Sequence, residues 1–379
     1  MVEWKKLGEV SNILYGYPFE SSLFTEDSNH MPLIRIRDIK PAKASTYYSG
    51  ACIDEYRIKK GDILVGMDGE FNLGRWNDRD GLLNQRVLKL TGKKNCCIVG
   101  YLYHYMGPVF KKIEKSTAGG SVKHLSSKVI NNILIPIPSL SEQERIVSIL
   151  DTFTASIDNI KAQIEQRRKQ YEHYRNTLLT FSKDDDSVEW KTLEDIFELR
   201  NGYTPSKANS EFWTDGTIPW FRMEDIRDKG RILSDSYLHI TESAIKGKGL
   251  FKANSFILAT TATIGEHALL IADSLANQQF TNLKIRKSLI NNIDIKFMFY
   301  YMFVVDEFCK SHTNVSGFAS VDMNALKRMA IPIPSLARQQ EIVSTLDTFE
   351  ASITNLEAQL EQRQKQYEYY REELLTNLS

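Results

Sequence analysis

Apolar residues recur every three or four positions along two stretches of the chain, and this spacing predicts two long amphipathic helices. In each stretch the apolar spacing is interrupted once, by Arg167 in the first and by Arg363 in the second. A 3.5-residue repeat sustained for more than four heptads is typical of a coiled coil. The apolar positions are Ile146, Leu150, Phe153, Ile157, Ile160, Ile164, Tyr171, Tyr174 and Leu178, then Ile342, Leu346, Phe349, Ile353, Leu356, Leu360, Tyr367, Tyr370 and Leu374.

The residues before the first helix indicate where it begins. Pro136 and Pro138 cannot lie inside a helix, so they end an extended segment. Ser141 is the predicted N-cap, with Glu142 and Glu144 in the first turn. Two helices of about 40 residues, each about 60 Å long, would form a rigid spacer if they paired antiparallel. The alternative is two amphipathic core helices of larger domains, but the strict 3.5-residue period favours a coiled coil.

An internal repeat organises the whole chain. Val-Glu-Trp-Lys occurs at residues 2–5 and 188–191, and Ile-Pro-Ile-Pro-Ser-Leu occurs at residues 135–140 and 331–336. Two copies of one unit predict pseudo-two-fold symmetry within one polypeptide. The predicted segments are a first domain, its helix, a second domain and its helix, at residues 1–140, 141–182, 183–335 and 336–379.

The two predicted domains share an apolar framework of mixed α/β type. Short strands are predicted at residues 61–66, 87–90, 255–259 and 283–285. Buried helices are predicted at residues 98–110 and 295–308. The longest apolar run, residues 297–305, is far shorter than the roughly 20 residues of a membrane span. The polar residues between the shared apolar positions differ, which indicates one fold with two different surfaces.

Charge is distributed unevenly along a chain that is neutral overall. The 48 Lys and Arg residues balance the 48 Asp and Glu residues. Residues 1–140 hold 20 basic and 14 acidic residues, whereas residues 183–335 hold 18 and 20. The first domain is therefore suited to a nucleic acid, although scattered basic residues are also typical of a solvated surface. Four irregularly spaced cysteines and a start without an apolar signal segment favour a cytoplasmic protein.

Residues 67–76 are rich in side chains that hydrogen-bond base edges, such as asparagine, arginine and carboxylates. The matching residues 260–265 are small and neutral, so the two domains would recognise different sequences. Small-residue loops at 116–124 and 313–320 could approach a phosphate backbone, or could be plain surface connections. The candidate DNA-binding residues are Arg35, Arg37, Asn72, Arg75, Trp76, Arg79, Gly120, Ser121, Lys123, His124, Arg222, Thr261, Thr263, Gln278, Ser316, Phe318 and Ser320.

No set of catalytic residues stands out in the sequence. It has no HExxH, CxxC, GxSxG or phosphate-binding GxxxxGK[ST] motif. It also lacks any Pro-Pro pair, which excludes the (Asn/Asp)-Pro-Pro-aromatic tetrapeptide of DNA amino-methyltransferases. We therefore predict a chain without catalytic residues, metal site or cofactor of its own.

The two variable domains, the two nearly identical helices and the Ile-Pro-Ile-Pro-Ser-Leu run before each helix together resemble the specificity subunit of type I restriction–modification systems. The resemblance covers essentially the whole chain. It implies two target recognition domains of mixed α/β fold, separated by a long antiparallel two-helix coiled coil, with each domain binding one half of a split target in double-stranded DNA.

The same resemblance implies protein partners that would carry the chemistry. Two modification subunits would supply adenine-N6 methylation, and two restriction subunits would complete an ATP-dependent endonuclease. The alternative hypothesis is a non-enzymatic coiled-coil scaffold whose two domains bind proteins. A stand-alone DNA methyltransferase is disfavoured by the missing motifs.

Overall fold

The computed structural model describes residues 2–116, 124–314, 319–376 and 378. The chain divides into two compact units, Met1–Ala162 with Glu357–Ser379 and Gln163–Leu356. Each unit has a globular part of mixed α/β structure, as the sequence predicts, and includes parts of two long helices.

The first unit has an antiparallel sheet and a mixed sheet, with strand orders β2-β10-β7-β8 and β3-β5-β4-β9-β6. Its strands are β1 (Glu3–Lys6), β2 (Ser11–Tyr15), β3 (Phe24–Thr25), β4 (Met31–Ile34), β5 (Tyr47–Tyr48), β6 (Arg57–Ile58), β7 (Ile63–Gly66), β8 (Leu73–Arg75), β9 (Gly81–Leu83), β10 (Val87–Gly92) and β11 (Leu134–Ile137). Its helices are α1 (Leu7–Val10), α2 (Ile36–Ile39), α3 (Val99–Ser116), α4 (Ser127–Asn131) and the first part of α5 (Leu140–Leu178).

The second unit has sheets with strand orders β13-β20-β17-β18-β15 and β16-β14-β19. Its strands are β12 (Glu189–Thr192), β13 (Phe197–Asn201), β14 (Ile218–Phe221), β15 (Ile232–Leu233), β16 (His239–Ile240), β17 (Ser255–Ala259), β18 (His267–Leu270), β19 (Leu275–Ala276), β20 (Phe280–Ile285), β21 (Thr313–Asn314), β22 (Ser320–Val321) and β23 (Ala330–Ile333). Its helices are α6 (Leu193–Ile196), α7 (Met223–Lys229), α8 (Ile295–Ser311), α9 (Met323–Arg328) and the first part of α10 (Leu336–Thr376).

The strands and helices predicted from apolar patterns are present. The strand predicted at residues 255–259 is β17, and the predicted buried helices are α3 and α8. The strand predicted from residue 61 begins only at Ile63, because Gly61 has a φ of +95° and belongs to the preceding turn. In the part of the chain that the structure describes, no helix is long and apolar enough to cross a membrane.

In each unit, the two repeated sequence motifs form the two strands of one antiparallel pair. In the first unit β1 pairs antiparallel with β11, and Trp4 lies opposite Pro136. In the second unit β12 pairs antiparallel with β23, and Trp190 lies opposite Pro332. Each pair ends directly before a long helix, so the repeat marks the place where each globular part joins its helix.

A buried glutamine in the first turn of each long helix joins that helix to its globular part. The side chain of Gln143 accepts a hydrogen bond from the Ile98 backbone N–H at 2.9 Å and donates to the carbonyl oxygens of Cys96 and Pro138 at 3.1 and 2.9 Å. Gln339 makes the same three bonds in the second unit, at 2.8, 2.9 and 2.8 Å. Both glutamines are fully buried with their amide groups hydrogen-bonded.

The first long helix begins earlier than predicted, so Ser141 as N-cap is wrong, whereas the second begins at the predicted residue, Leu336. Helix α5 starts at Leu140, and the Ser139 hydroxyl accepts a hydrogen bond from the Glu142 backbone N–H at 3.3 Å. Only Pro138 and Ser139 separate the end of β11 at Ile137 from the start of the helix.

In the first unit, the apolar positions of α5 pack against the globular core and then against the end of α10. Ile146 and Leu150 are fully buried. Further along, Phe153 stacks on Tyr370 with ring centroids 5.2 Å apart. The guanidinium of Arg363, at the interruption of the predicted seam, lies over the Phe153 ring at 5.7 Å. This arginine is therefore held by a cation–π contact.

The second unit repeats this arrangement with the helices exchanged. Ile342 and Leu346 of α10 are fully buried. Phe349 stacks on Tyr174 at 5.2 Å, and Arg167 of α5 lies over the Phe349 ring at 5.8 Å. Tyr174 is 46% exposed, so the predicted apolar seam is less buried here than its period suggests.

We predict that Gln143→Ala lowers the free energy of unfolding by about 2–4 kcal/mol, because the Ile98 N–H and two carbonyl groups lose buried partners. Gln339→Ala should have a similar effect in the second unit. Gln166→Ala, at an exposed position of α5, is the matched control and should change little. Urea unfolding followed by circular dichroism measures all three, and equal effects for Gln143 and Gln166 would contradict the assigned role.

Candidate nucleic-acid interface

The candidate interface of the first unit lies where two parallel strands end side by side. β4 and β9 pair in parallel, with Ile34 opposite Leu83. The next residues are Arg35 after β4 and Asn84 after β9, and the Asn84 N–H donates to the Ile34 carbonyl at 3.3 Å. Polar side chains from two distant segments are thereby brought to one edge of the sheet.

A Gly-Tyr pair after β2 supports this edge from the side. The Tyr17 N–H donates to the Leu83 carbonyl at 3.0 Å, and the Gln85 N–H donates to the Tyr17 carbonyl at 2.9 Å. A Cβ at Gly16 would lie 2.0 Å from the Asn84 carbonyl oxygen, so only glycine permits this approach. The loop after β9 is therefore held at a fixed position.

A groove of about 500 Å³ opens at this edge. Three of the candidate residues predicted from the sequence line it, and its lining contains three arginines and one carboxylate. The lining residues are Arg35, Ile36, Arg37, Glu70, Asn72, Asn84, Gln85 and Arg86. Arginine, asparagine and glutamine side chains together can hydrogen-bond phosphates and base edges, so the lining suits a nucleic acid.

Neighbouring side chains orient two of the charged groups in the groove. The Arg37 guanidinium donates to the hydroxyls of Ser45 and Thr46 at 3.0 and 2.8 Å. The Glu70 carboxylate pairs with the Lys40 ammonium at 2.5 Å, and this pair lowers the pKa of Glu70 below its usual value. Glu70 therefore stays charged and balances part of the positive lining.

Arg86 stands at the border of the groove in a left-handed backbone conformation, with a φ of +72°. Its guanidinium pairs with Asp68 at 3.1 Å. The same carboxylate takes a hydrogen bond from Nδ1 of the candidate residue His124 at 2.5 Å. His124 thus lies beside the groove, linked to Arg86 through Asp68.

The second unit has the same backbone framework. β14 and β19 pair in parallel with Phe221 opposite Ala276, and Arg222 follows β14. The Asn277 N–H donates to the Phe221 carbonyl at 3.1 Å. A Cβ at Gly202 would lie 2.2 Å from the Asn277 carbonyl oxygen. The strand-end geometry is therefore common to both units.

The side chains around this framework differ in the second unit. Glu224 stands two residues after Arg222, where the first unit has Arg37 two residues after Arg35. The Gln278 side chain accepts a hydrogen bond from the Thr204 hydroxyl at 2.5 Å. The corresponding surface of the second unit is therefore less basic, with an acidic side chain and a neutral one at these positions.

The loop after β17 holds the small candidate residues of the second unit. Thr261 forms an isolated β-bridge with Ser320, so these two lie together as Asp68 and His124 do in the first unit. Thr263 follows two residues later and is partly exposed. The loop presents hydroxyl groups where the first unit presents charged ones.

Three candidate residues of the first unit lie outside the groove: burial contradicts the expected contact of Trp76 with DNA, whereas the expected roles of Arg75 and Arg79 stay predictions. Trp76 is 1% exposed and its indole N–H donates to the Arg79 carbonyl at 2.9 Å, so it is a core residue. Arg75 pairs with Asp151 of α5 at 3.2 Å. The Arg79 guanidinium donates to the backbone carbonyls of Ser28 and His30, the latter at 2.7 Å. These groups are engaged within the unit and do not line the groove.

The candidate residues of the two small-residue loops lie mainly outside the described residues. They are Gly120, Ser121 and Lys123 in the first loop and Ser316 and Phe318 in the second. Their predicted role in DNA binding stays a prediction.

The candidate residues predicted from the sequence omit five of the eight groove residues, namely Ile36, Glu70, Asn84, Gln85 and Arg86. A signal for two of them was present, because Asn84-Gln85 recurs as Asn277-Gln278. Gly-Tyr also recurs, at residues 16–17 and 202–203. Residue pairs that recur in otherwise divergent segments therefore identify the backbone framework of this site.

Comparisons with known proteins agree over nearly the whole chain. A family model described as "Type I restriction modification DNA specificity domain" matches residues 1–167 and 186–365. The chain is 50% identical over 200 residues to the type I restriction enzyme EcoprrI specificity subunit of Escherichia coli, an alignment that spans 50% of each chain. It is 31% identical over 396 residues to the EcoR124I/EcoR124II specificity subunit of Escherichia coli, covering 99% of this chain and 94% of that one.

A solved structure shares the fold. The S subunit of a type I restriction–modification system from M. genitalium superposes with a TM-score of 0.60 at 14% identity, covering 100% of this chain and 97% of that one. At this identity, the likeness establishes the fold alone.

We predict that Gly16→Ala and Gly202→Ala each destabilise their unit by about 2–4 kcal/mol, because the added methyl group would overlap a backbone carbonyl that cannot move alone. Calorimetry of the purified variants measures the loss, and unchanged transitions would contradict the close approach. The loop that carries Asn84 or Asn277 should also become more accessible to hydrogen exchange.

Proposed function

Because the chain belongs to the family of type I restriction–modification DNA specificity proteins, we propose that it binds a split target in double-stranded DNA. Each of its two domains recognises one half of that target. The observation that carries this proposal is the duplicated strand-end framework, which holds Arg35 and Gln85 in one unit and Arg222 and Gln278 in the other. One framework with two different sets of surrounding side chains suits two different half-sites.

The target recognition domains are proposed as residues 1–140 and 183–335, and the helical segments as residues 141–182 and 336–379. Each unit contains the first part of one long helix and the last part of the other. This distribution supports an antiparallel two-helix coiled coil between the domains. A coiled coil of fixed length would set the number of unrecognised base pairs between the half-sites.

The chain is proposed to act without chemistry of its own. Relatives are named as specificity subunits of type I restriction enzymes. We infer that this chain recruits two modification subunits, which methylate adenine N6, and two restriction subunits, which cleave DNA with ATP. The chain would then act in the cytoplasm, where chromosomal DNA is found. The family match does not favour the alternative of a scaffold with two protein-binding domains.

Inserting one heptad into residues 158–171 and one into residues 354–367 should lengthen the unrecognised spacer. Seven helical residues add about 10 Å, which corresponds to about three base pairs. Both half-sites should stay unchanged, because neither domain is altered. Sequencing of methylated sites in cells that express the altered chain with the modification subunits measures the spacer.

The control for this experiment is an insertion into one helix only. A single insertion puts the apolar positions of the two helices out of register, so methylation should fall sharply. Altered half-sites at an unchanged spacing in the double insertion would contradict the proposed role of the helices.

Arg86→Ala should change base preference in one half-site only, because Arg86 borders the groove of the first unit. A lost arginine–guanine contact would relax that position by about 1–3 kcal/mol. Arg75→Ala is the matched control, since Arg75 does not line the groove, and its removal should therefore leave both half-sites unchanged. Enrichment sequencing of bound duplexes separates the two outcomes, and a change of preference with Arg75→Ala alone would contradict this assignment.

A further inference from the structure

Arg35 and Arg222 occupy the same place in the two units. Each is the first residue after a strand of the parallel pair, and each is followed three residues later by a buried aspartate. The Arg35 backbone N–H donates to Asp38 Oδ2 at 2.9 Å, and the Arg222 backbone N–H donates to Asp225 Oδ2 at 2.8 Å. The backbone that carries each arginine is therefore fixed in the same way.

The second carboxylate oxygen of each aspartate ties this turn to its own unit. Asp38 Oδ1 accepts a hydrogen bond from the Ser45 hydroxyl at 2.6 Å. Asp225 Oδ1 accepts one from the Tyr237 backbone N–H at 2.8 Å. The two anchors differ in kind, yet the position of the arginine backbone is retained.

The two guanidinium groups lack hydrogen-bond partners, unlike most arginines near them. Within the described ranges, the Arg35 guanidinium has no hydrogen bond or ion pair, although it lines the groove. Arg222 Nε is buried without a hydrogen-bond partner. It forms a loose ion pair with Glu224 Oε2 at 3.6 Å, which is beyond hydrogen-bond distance. A buried donor without a partner points to a ligand that supplies the acceptor.

The residues around the two arginines indicate which chemical group of the ligand accepts the hydrogen bonds. Arg37 and Arg86 near Arg35 are replaced by Glu224 and Gln279 near Arg222, so the surroundings carry different hydrogen-bonding patterns. Two half-sites of different sequence need not have any base in common. They share the phosphate backbone, which a guanidinium binds through charge-assisted hydrogen bonds.

We propose that Arg35 and Arg222 are the paired phosphate contacts that set the register of each domain on its half-site, while the differing residues around them discriminate bases. This assignment rests on the proposed function. It separates two roles within one groove: the arginine common to both units supplies affinity, and the differing residues supply sequence preference.

The test uses the full chain and a pool of random-sequence DNA duplexes, with binding measured over a series of salt concentrations. Arg35→Gln and Arg222→Gln should each weaken binding about tenfold, for enriched and unselected sequences alike. Each should reduce the slope of log affinity against log salt by about 0.9, the value for one phosphate contact. The sequences enriched from the pool should stay the same.

Lysine variants distinguish a phosphate contact from a base contact. Arg35→Lys and Arg222→Lys keep the positive charge, so the salt slope and the enriched sequences should be retained. A bidentate arginine–guanine contact would be lost in the same variants, since lysine is a single point charge. A changed base preference in the lysine variants would overturn the assignment.

Charge-matched controls lie beyond the far ends of the strands that follow Asn84-Gln85 and Asn277-Gln278. Lys94→Gln after β10 and Lys287→Gln after β20 remove one exposed positive charge from each unit. They should leave the salt slope unchanged, and a reduction equal to that of Arg35→Gln would overturn the assignment. An unaltered chain that retains no DNA would overturn both this assignment and the proposed function, whereas altered base preference in a DNA-binding chain would overturn this assignment alone.

Discussion

The architecture depends on how each globular part is fixed to its long helix. The fixing elements are a strand pair and one buried glutamine, and both are duplicated without change of geometry. Gln143 and Gln339 each satisfy one backbone donor and two backbone acceptors in the interior, where an unpaired amide would cost about 1–3 kcal/mol. A domain held in this way cannot rotate on its helix without breaking several buried hydrogen bonds. The length of the helices can set the proposed spacing of the half-sites only if each domain is rigidly attached to its helix.

The two strand-end frameworks show how one fold carries two different sets of surface side chains. The conserved parts are backbone features, namely the parallel strand ends, the close approach of Gly16 or Gly202 and the aspartate that fixes the arginine turn. The variable parts are side chains on loops around this framework. Since the framework is stabilised by main-chain hydrogen bonds, loop side chains can change with little effect on the fold. This separation explains why the repeat is strict around the helices and loose in the domains.

Local patterns in the sequence predict much of the fold. Periodicity identifies α5 and α10, and apolar runs identify β17 and the buried helix α8, because these elements follow from neighbouring residues. The N-cap does not follow from the sequence, because serines stand on both sides of the helix start, at 139 and 141, and only the structure shows which one caps the first turn.

The candidate site was harder to predict, because its members come from distant segments. Arg35, Asn72 and Arg86 meet only through the pairing of β4 with β9 and of β7 with β8 and β10. Trp76 lies among polar residues in sequence, yet its side chain enters the core, which composition alone does not reveal. Arg75 is engaged by Asp151, 76 residues further along the chain. Contacts between segments so far apart in the sequence cannot be read from local patterns.

The central claim is that one chain recognises two different DNA sequences at a fixed separation. The most direct measurement is single-molecule sequencing of DNA methylation in cells that express the unaltered chain with the proposed modification subunits. The account predicts methylated adenines in two unlike half-sites separated by a constant number of unspecified base pairs. A continuous target, two identical half-sites or a spacer of variable length would contradict it.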